Sequence, residues 1–207
     1  MKYLQCNDTL DRRYCAVQTH VPYWSGPAFG RPALALMRER GDEAMRLDLD
    51  EAAGGLDLPD RVSNVYDLLV LRQSCAEAVL ASHDLGAVEV LPAVLISAKG
   101  RVHAEDYVVV NPLGTLDCLD VARSQMGGTP DDPYVRLGGS FCFDAAAIPP
   151  GRDVFRVKMI AAGYAFSDRL HDFIRARGYS NFDLRDVPLS GGRDASIPRC
   201  LDDSMTR

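Results

Sequence analysis

Residues 163–189 read GYAFSDRLHDFIRARGYSNFDLRDVPL, and this stretch predicts a strand, a helix and a second strand. A short apolar run leads to Ser167, whose hydroxyl suits the N-cap of a helix. Gly178 suits the left-handed position that ends a helix, and the strand after it is expected to end at Val187–Pro188. The apolar side chains of the helix recur on one face, at Leu170, Phe173 and Ile174. A compact strand–helix–strand unit is therefore predicted.

A second stretch, residues 68–96, follows the same order and reads LLVLRQSCAEAVLASHDLGAVEVLPAVLI. Ser74 is the expected N-cap of its helix, and Glu77 three residues later would complete a capping box. Gly86 is the expected helix stop, and the next strand is expected to end at Leu91–Pro92. The residues predicted to form the buried stripe of this helix are Cys75, Ala78, Val79 and Ser82. The two stretches form a weak internal repeat, which indicates two similar units built on one sheet.

Further strand candidates lie between the two units, and a short helix is expected near the N-terminus. The strand candidates are Tyr107–Val110, Tyr134–Leu137, Phe141–Phe143 and Val154–Ile160. Pro32 suits the first turn of a helix that would run to Arg40 and stop at Gly41. Short helices among many strands predict an α+β fold with a mixed, mainly antiparallel sheet. Residues 1–189 are expected to form a single domain, and residues 190–207, which lack periodicity, a loosely ordered tail.

The placement of charge says more about function than the total composition. The chain has 207 residues, of which 47% are hydrophobic and 25% charged, and its formal net charge is -6. Residues 41–60 hold Arg46 as their single base against seven acids, so this segment accounts for the net charge. The acids are Asp42, Glu43, Asp48, Asp50, Glu51, Asp57 and Asp60. The segment is interpreted either as a solvated loop or as a docking patch for a basic partner. A protein that binds nucleic acid directly would need a basic face instead.

The cysteines and histidines show no spacing that is typical of a metal or redox site. The six cysteines include no C-x-x-C pair, and the four histidines have no partner at metal-ligand spacing. No metal and no cofactor are therefore predicted. The polar start MKYLQCNDTLDRR lacks the apolar core of a secretory signal, and no apolar run approaches a membrane span. A cytoplasmic protein with reduced thiols and no membrane partner is expected.

The stretch DYVVVNPLGTLDCLDVARS, residues 106–124, has the composition of an active centre. Asp117, Cys118 and Asp120 follow an apolar strand, and carboxylates beside a thiol can catalyse hydrolysis or group transfer. Such chemistry needs an adjacent base, for example His103 brought close by the fold. Because the local sequence supplies no base, the favoured interpretation is a structural corner whose cysteine fills the core. A small-molecule hydrolase or transferase that uses the three residues is the alternative.

The same stretch begins an order of short motifs that continues into the second unit. The residues that carry this order are Asn111, Asp117, Asp120, Ser124, the step Ile148–Pro149, the run Val154–Arg156 (with Arg156 at its end) and Ser167, with Trp24 upstream. Over roughly residues 20–189 this pattern resembles a family of bacterial immunity proteins, the eleventh named immunity family of polymorphic toxin systems. The motif residues are interpreted as structural rather than catalytic.

The resemblance implies a cytoplasmic, non-enzymatic protein that binds and neutralises a cognate antibacterial toxin. Its partner would be the C-terminal toxin domain of a neighbouring gene product, used in competition between bacteria. A nuclease or another cationic toxin would suit the acidic segment, because proteins that bind nucleic acids carry basic surfaces. A further alternative is a regulatory protein whose sheet edge recruits a different partner.

Overall fold

The computed structural model describes residues 1–7, 11–17, 44–50, 52, 55–64, 68–124, 141–158 and 164–191. Its strands are β1 (Tyr3–Asn7), β2 (Ala16–Val17), β3 (Met45–Asp48), β4 (Arg61–Asn64), β5 (Leu69–Arg72), β6 (Val88–Ile96), β7 (Val102–Pro112), β8 (Phe143–Asp144), β9 (Val154–Arg156), β10 (Tyr164–Ser167), β11 (Asp183–Val187) and β12 (Leu189–Ser190). Its helices are α1 (Gln73–Ser82) and α2 (Asp168–Arg177), with a 3-10 turn at Ala145–Ala147. Neither helix is long and apolar enough to cross a membrane, and the described chain contains no other candidate.

The larger sheet has six strands in the order β2–β4–β5–β7–β6–β3. An isolated bridge between Val17 and Leu49 joins the chain just after β3 to β2. Beside it, the Asp50 N–H donates to the carbonyl of Ala16 at 2.8 Å. The two ends of the sheet therefore meet, and the sheet curls around one apolar core to which every strand contributes. The first core consists of Cys15, Val17, Met45, Leu47, Leu49, Val62, Leu68, Val70, Leu91, Ala93, Leu95, Ala104, Tyr107 and Val109.

The smaller sheet has four antiparallel strands in the order β11–β1–β10–β9. One of its faces shares a second core with both helices and with the outer face of the curled sheet. Alternation along β5 shows this division, because Val70 lies in the first core whereas Leu69 and Leu71 lie in the second. The other face packs on a third core that includes Cys118 and Phe143, next to the parallel pair β8–β12.

The two strand–helix–strand units predicted from the sequence are present and are built in the same way. In the first unit, α1 connects β5 to β6, which lie parallel on either side of β7. In the second unit, α2 connects β10 to β11, which lie parallel on either side of β1. The α+β prediction is confirmed. The expectation of one shared sheet is wrong, because each unit pairs with a different third strand and so belongs to a different sheet.

The boundaries of α2 are those that the sequence predicts. The Ser167 hydroxyl accepts a hydrogen bond from the Leu170 N–H at 3.1 Å, which satisfies one free donor of the first turn. Gly178 adopts the left-handed conformation, with φ 67° and ψ 25°, directly after the last helical residue. Leu170 and Ile174 are buried and Phe173 is partly buried, as the apolar stripe predicts. Local sequence chemistry therefore fixes this helix at both ends.

The boundaries predicted for α1 are wrong. The helix begins at Gln73, one residue before Ser74, and no side chain caps its first turn, so no capping box forms. It ends at Ser82, whereas Gly86 lies in the following loop with φ 69°. Ala76 is buried although the predicted stripe omits it, and Ser82 is exposed. The packing of α1 against β5 and β7 determines its position here, since the capping signals do not.

The strand after α1 is longer than predicted. It was expected to end at Leu91–Pro92, but β6 continues to Ile96. Its neighbour β3 pairs with it only from Ala93 onward. Among the described strands, the part of β6 that contains Pro92 therefore pairs only with β7. A proline, which has no N–H to donate, is tolerated at such a position because one side of the strand is unpaired there.

The stretch 106–124 forms a structural corner. After β7, the Leu116 N–H donates to the Arg156 carbonyl at 2.8 Å, and the Leu116 carbonyl accepts from the Lys158 N–H at 2.8 Å. A second bridge joins Leu119 to Phe143. The corner thereby pairs with the edge of β9, which would otherwise be open, and connects it to β8.

Other predicted elements differ in extent from the observed ones. Of the strand predicted at Phe141–Phe143, only Phe143 lies in a strand, because β8 begins there. The strand predicted at Val154–Ile160 ends at Arg156 within the described residues. Next to the expected domain boundary at residue 189, Ser190 still pairs with Asp144. The predicted strand Tyr134–Leu137, the predicted helix Pro32–Arg40 and Trp24 lie outside the described residues.

Candidate functional site

The acidic segment divides into acids that face solvent and acids that the fold uses. Asp42, Glu43 and Glu51 lie outside the described residues. Asp48, at the end of β3, is exposed and lies 3.4 Å from Arg46, which is also exposed. The Asp50 carboxylate accepts a hydrogen bond from the Ala52 N–H at 2.9 Å in its own turn. Asp57 is exposed.

Asp60 connects two segments of the fold through hydrogen bonds to Ser180. Its carboxylate accepts hydrogen bonds from the N–H and from the hydroxyl of Ser180, both at 2.8 Å. Next to it, the Asn181 side chain donates to the Arg61 carbonyl at 2.7 Å. These bonds fasten the start of β4 to the loop that follows α2. Of the four described acids in the segment, Asp48 and Asp57 are therefore the ones exposed to a partner.

The motif residues of the corner satisfy local polar groups rather than one shared site. The Asn111 side chain donates to the Glu89 carboxylate at 3.1 Å. Asp117 pairs with Lys158 at 2.6 Å on the surface. The Asp120 carboxylate accepts from the Arg123 N–H at 3.2 Å, and a bond from Ser190 holds the pKa of this carboxyl below its usual value.

Ser124 and Arg156 likewise hold neighbouring parts of the chain together. The Ser124 hydroxyl donates to the Asp120 carbonyl at 2.7 Å and accepts from the Cys142 N–H at 3.0 Å. Arg156 is buried, with its guanidinium 4.4 Å from the centre of the Tyr164 ring and hydrogen bonded to the Tyr164 hydroxyl. Ser124 therefore holds Asp120 next to the residue that precedes β8, and Arg156 on β9 contacts the adjacent strand β10.

Cys118 is placed unfavourably for nucleophilic catalysis. Its side chain is buried in the third core, and burial raises the pKa of its thiol to about 12. A reactive cysteine needs the thiolate, which this environment suppresses near neutral pH. His103 does not supply the expected base, because its Nε2 lies 3.2 Å from the Leu56 carbonyl oxygen at the other end of β7. This geometry counts against an active centre at Asp117, Cys118 and Asp120.

A buried polar cluster that the sequence did not reveal connects the two units. At its centre is Asp153, which is fully buried. Its carboxylate accepts from the Asp84 N–H at 2.8 Å, from the Ser167 hydroxyl at 2.5 Å and from the Arg169 guanidinium. Although burial alone would raise the pKa of Asp153, hydrogen bonds from Arg169 and Ser167 hold it below its usual value.

His83 completes this cluster from the end of α1. Its side chain is 3% exposed, with Nδ1 3.4 Å from the Asp153 carboxylate and its ring 4.9 Å edge-on from the ring of Phe173. Burial lowers the pKa of His83, and the nearby carboxylate opposes this only in part. Asp153, Ser167 and His83 resemble a catalytic set in composition, but all three side chains are enclosed between the units. The cluster is therefore interpreted as structural rather than catalytic.

The described part of the chain contains no group of three or more metal-ligating side chains positioned to hold a metal ion. The described residues form a curled sheet with loops and strand ends at its surface. Such a scaffold suits recognition of another macromolecule.

The chain matches the model of a known protein family. The model of the Immunity protein family (Imm11) matches residues 74–188, which is more than half of the 207-residue chain. The match extends from the start of α1 to the end of β11, so it includes both helices and the buried Asp153 cluster. The chain belongs to the Imm11 family of immunity proteins, which confirms the resemblance drawn from its motifs. Among curated proteins, none matches this sequence.

Proposed function

We propose that this chain binds and neutralises a cognate antibacterial toxin in the cytoplasm, without catalysis. The observation that carries the proposal is membership of an immunity protein family across residues 74–188. The burial of Cys118 adds support, since it removes the nucleophile of the enzymatic alternative.

The proposed partner is the C-terminal toxin domain of a neighbouring gene product in a polymorphic toxin system. Neutralisation in the same cell would protect the producer and its kin during competition between bacteria. A toxin with a basic active cleft, such as a nuclease, would be attracted by the acidic segment. Asp48 and Asp57 are the described acids of that segment that face solvent.

Mixing purified proteins tests this proposal. The full chain is titrated with the C-terminal domain of the neighbouring gene product in a calorimeter, at low and at physiological salt. We expect a one-to-one complex whose affinity falls as salt rises, because exposed charges are screened. Absence of a complex at both salt concentrations would contradict the proposed function.

Charge reversal tests the acidic segment separately. We expect Asp48→Lys combined with Asp57→Lys to weaken the complex by about tenfold or more, since both charges become repulsive. Asp172→Lys is the matched control, because Asp172 is an 83% exposed acid on α2, outside the segment. If the double variant binds as tightly as the control, the acidic-segment hypothesis fails while the immunity function stands.

A further inference from the structure

We propose that the toxin adds a strand to the curled sheet, at the part of β6 that no other described strand covers. This open edge, Val88–Pro92, would take an extended segment of the toxin that has apolar side chains at alternate positions. The inference rests on the proposed function, and it names both the surface and the conformation in which the partner binds. Backbone hydrogen bonds would hold the segment, and its apolar side chains would pack on the sheet.

The open edge of β6 ends where β3 begins. Val88–Pro92 pairs with β7 on one side, whereas β3 joins the other side of β6 only from the pair Met45–Ala93 onward. An edge of five residues has the usual length of a strand. Within the described part of the chain, an added strand would therefore lie end to end with β3.

The ladder between β6 and β7 shows which way the backbone of the open edge points. Antiparallel strands alternate between residue pairs that exchange two backbone hydrogen bonds and pairs that exchange none. The Leu113 N–H donates to the Ala87 carbonyl at 2.8 Å, directly beyond the pair Val88–Pro112. Because Pro112 has no N–H to donate, Val88–Pro112 is one of the pairs without bonds. The N–H and C=O groups of Val88 therefore point away from β7.

Val90 and Pro92 follow Val88 in this alternation, so their backbone groups also point away from β7. Pro92 agrees with this geometry, because it has no N–H that the ladder with β7 could use. Within the described part of the chain, the N–H and C=O groups of Val88 and Val90 have no hydrogen-bond partner on that side. The open edge therefore offers two donors and two acceptors to the backbone of another strand.

The side chains on the outer face of the open edge are apolar. Strand alternation places Val88, Val90 and Pro92 on the face opposite to Leu91, which lies in the first core. Val90 is 38% exposed, Pro92 is exposed, and Val88 is only partly buried against the second core. An added strand would cover these side chains with its own residues on the same face. Its apolar residues are therefore expected at every second position.

The outer edge of β11 is less suitable for strand addition, although no other described strand pairs with it. Arg185 and Asp186 are exposed there, and charged side chains on an edge strand commonly prevent such pairing. On the open edge of β6 the one charged residue, Glu89, is half-buried, and its carboxylate accepts a hydrogen bond from Asn111 at 3.1 Å. The edge of β6 is therefore the more favourable of the two.

A second copy of the chain is a poor occupant of the open edge. The two-fold arrangement that pairs Val88 with Val90 of the other copy sets the two Glu89 residues directly opposite each other, where like charges are unfavourable. The arrangement centred on Val90 sets Val88 opposite Pro92, which has no N–H to donate. A strand from a different protein has neither restriction.

The position of the open edge favours the toxin as the source of that strand. β3 carries the exposed Asp48, one of the acids proposed to attract the toxin. Asp48 pairs with Ile96, which lies about 13 Å beyond Pro92 along the strand. A toxin that is attracted by Asp48 can therefore reach the open edge through one continuous interface.

Removal of a single N–H tests the inference. Val90→Pro and the control Val90→Ala, each in the full chain, are titrated with the proposed partner, the C-terminal toxin domain of a neighbouring gene product. Proline removes the N–H that would bond to the toxin and leaves the ladder with β7 intact, as Pro92 does two residues further on. We expect Val90→Pro to weaken the complex by about tenfold or more, and Val90→Ala by clearly less.

The outcome that contradicts strand addition is equally clear. Wild-type affinity in Val90→Pro, or equal losses in Val90→Pro and Val90→Ala, would overturn the inference, because the N–H would then make no contribution of its own. Equal thermal midpoints would show that both variants remain folded.

Amide hydrogen exchange in the wild-type chain, followed residue by residue by NMR, is a second measurement that needs no variant. We expect the N–H groups of Val88 and Val90 to exchange at least about tenfold more slowly in the complex than in the free chain. The N–H of Leu91, which faces β7, is expected to be protected in both states.

The exchange experiment separates the inference from the proposed function. A complex in which Val88 and Val90 stay unprotected would overturn the inference while leaving the proposed function intact. Protection that appears without toxin as the protein concentration rises, together with a dimer in sedimentation, would identify a second copy as the occupant and also overturn it. If the wild-type chain forms no complex, the proposed function fails and the inference fails with it.

Discussion

The two strand–helix–strand units share a topology, but different forces position their helices. α2 has a serine N-cap, an acidic residue in its first turn, two basic residues in its last turn and a left-handed glycine after it. α1 has none of these features and carries small buried residues instead, at Cys75, Ala76 and Val79. The same strand–helix–strand motif is therefore positioned by capping residues in the second unit and by packing in the first.

The difference follows from where each helix lies. α1 packs against β5 and β7 of the curled sheet, so its small residues allow close approach. Both helices have five exposed residues, but α2 buries only Leu170 and Ile174 where α1 buries three residues, so its caps contribute a larger share of its stability. The Asp153 cluster joins the two, with His83 and Asp84 from the first unit and Ser167 and Arg169 from the second.

The largest expected effect comes from removing the connection between the units. Asp153→Ala would leave the Asp84 N–H and the Arg169 guanidinium without their acceptor, and we expect the free energy of unfolding to fall by about 3 kcal/mol. Urea denaturation measures this change. Asp117→Ala is the control, since its exposed ion pair with Lys158 should contribute almost nothing. Similar losses in both variants would show that the cluster does not join the units.

Overpacking would test whether α1 depends on close packing. We expect Ala76→Leu to lower the free energy of unfolding by about 2 kcal/mol, because Ala76 is 1% exposed and the larger side chain must displace its neighbours. Ala78→Leu, on a half-buried position of the same helix, should cost clearly less. A stable Ala76→Leu variant would mean that α1 does not need its small buried face.

Serine substitutions compare the helix starts directly. We expect Ser167→Ala to cost about 1–2 kcal/mol, because it removes the N-cap of α2 and a bond to Asp153. Ser74→Ala should cost nothing, since Ser74 is exposed and caps no helix. Chemical denaturation of the two variants gives both values. Equal losses would show that the two helices begin by the same mechanism.

The smallest expected effect is a pH dependence that originates in the cluster. Above pH 6.5, the ordinary pKa of histidine, His83 is neutral in both the folded and the unfolded chain. Below that pH the unfolded chain binds a proton that the folded chain excludes, so stability falls until the pH reaches the lowered folded pKa. Thermal midpoints between pH 7 and pH 5 should therefore decline more steeply in the wild type than in His83→Phe. Parallel profiles would show that His83 does not titrate in this way.

Structural features that depend on residues close together in the sequence could be predicted from it. The start and end of α2 and the strand character of β7 follow from neighbouring residues, and the structure agrees. Ser74 and Gly86 carried the same kind of signal, but tertiary packing placed α1 elsewhere. The sheet closure depends on the contact between Val17 and Leu49, which no periodicity in either segment indicates.

The candidate surface was predictable only in part for the same reason. Charge composition drew attention to the acidic segment, but it could not show that Asp60 binds Ser180, 120 residues away. Asp153 was likewise unremarkable in sequence, since its partner Asp84 is 69 residues distant.

Growth of bacteria that express the proposed partner, the C-terminal toxin domain of a neighbouring gene product, tests the proposed immunity function most directly. The wild-type chain, the double variant Asp48→Lys with Asp57→Lys, and the control Asp172→Lys are co-expressed at equal, verified levels. We expect full rescue by the wild type and by Asp172→Lys, and reduced rescue by the double variant. Failure of the wild-type chain to rescue growth, although it is folded and present, would contradict the proposed immunity function.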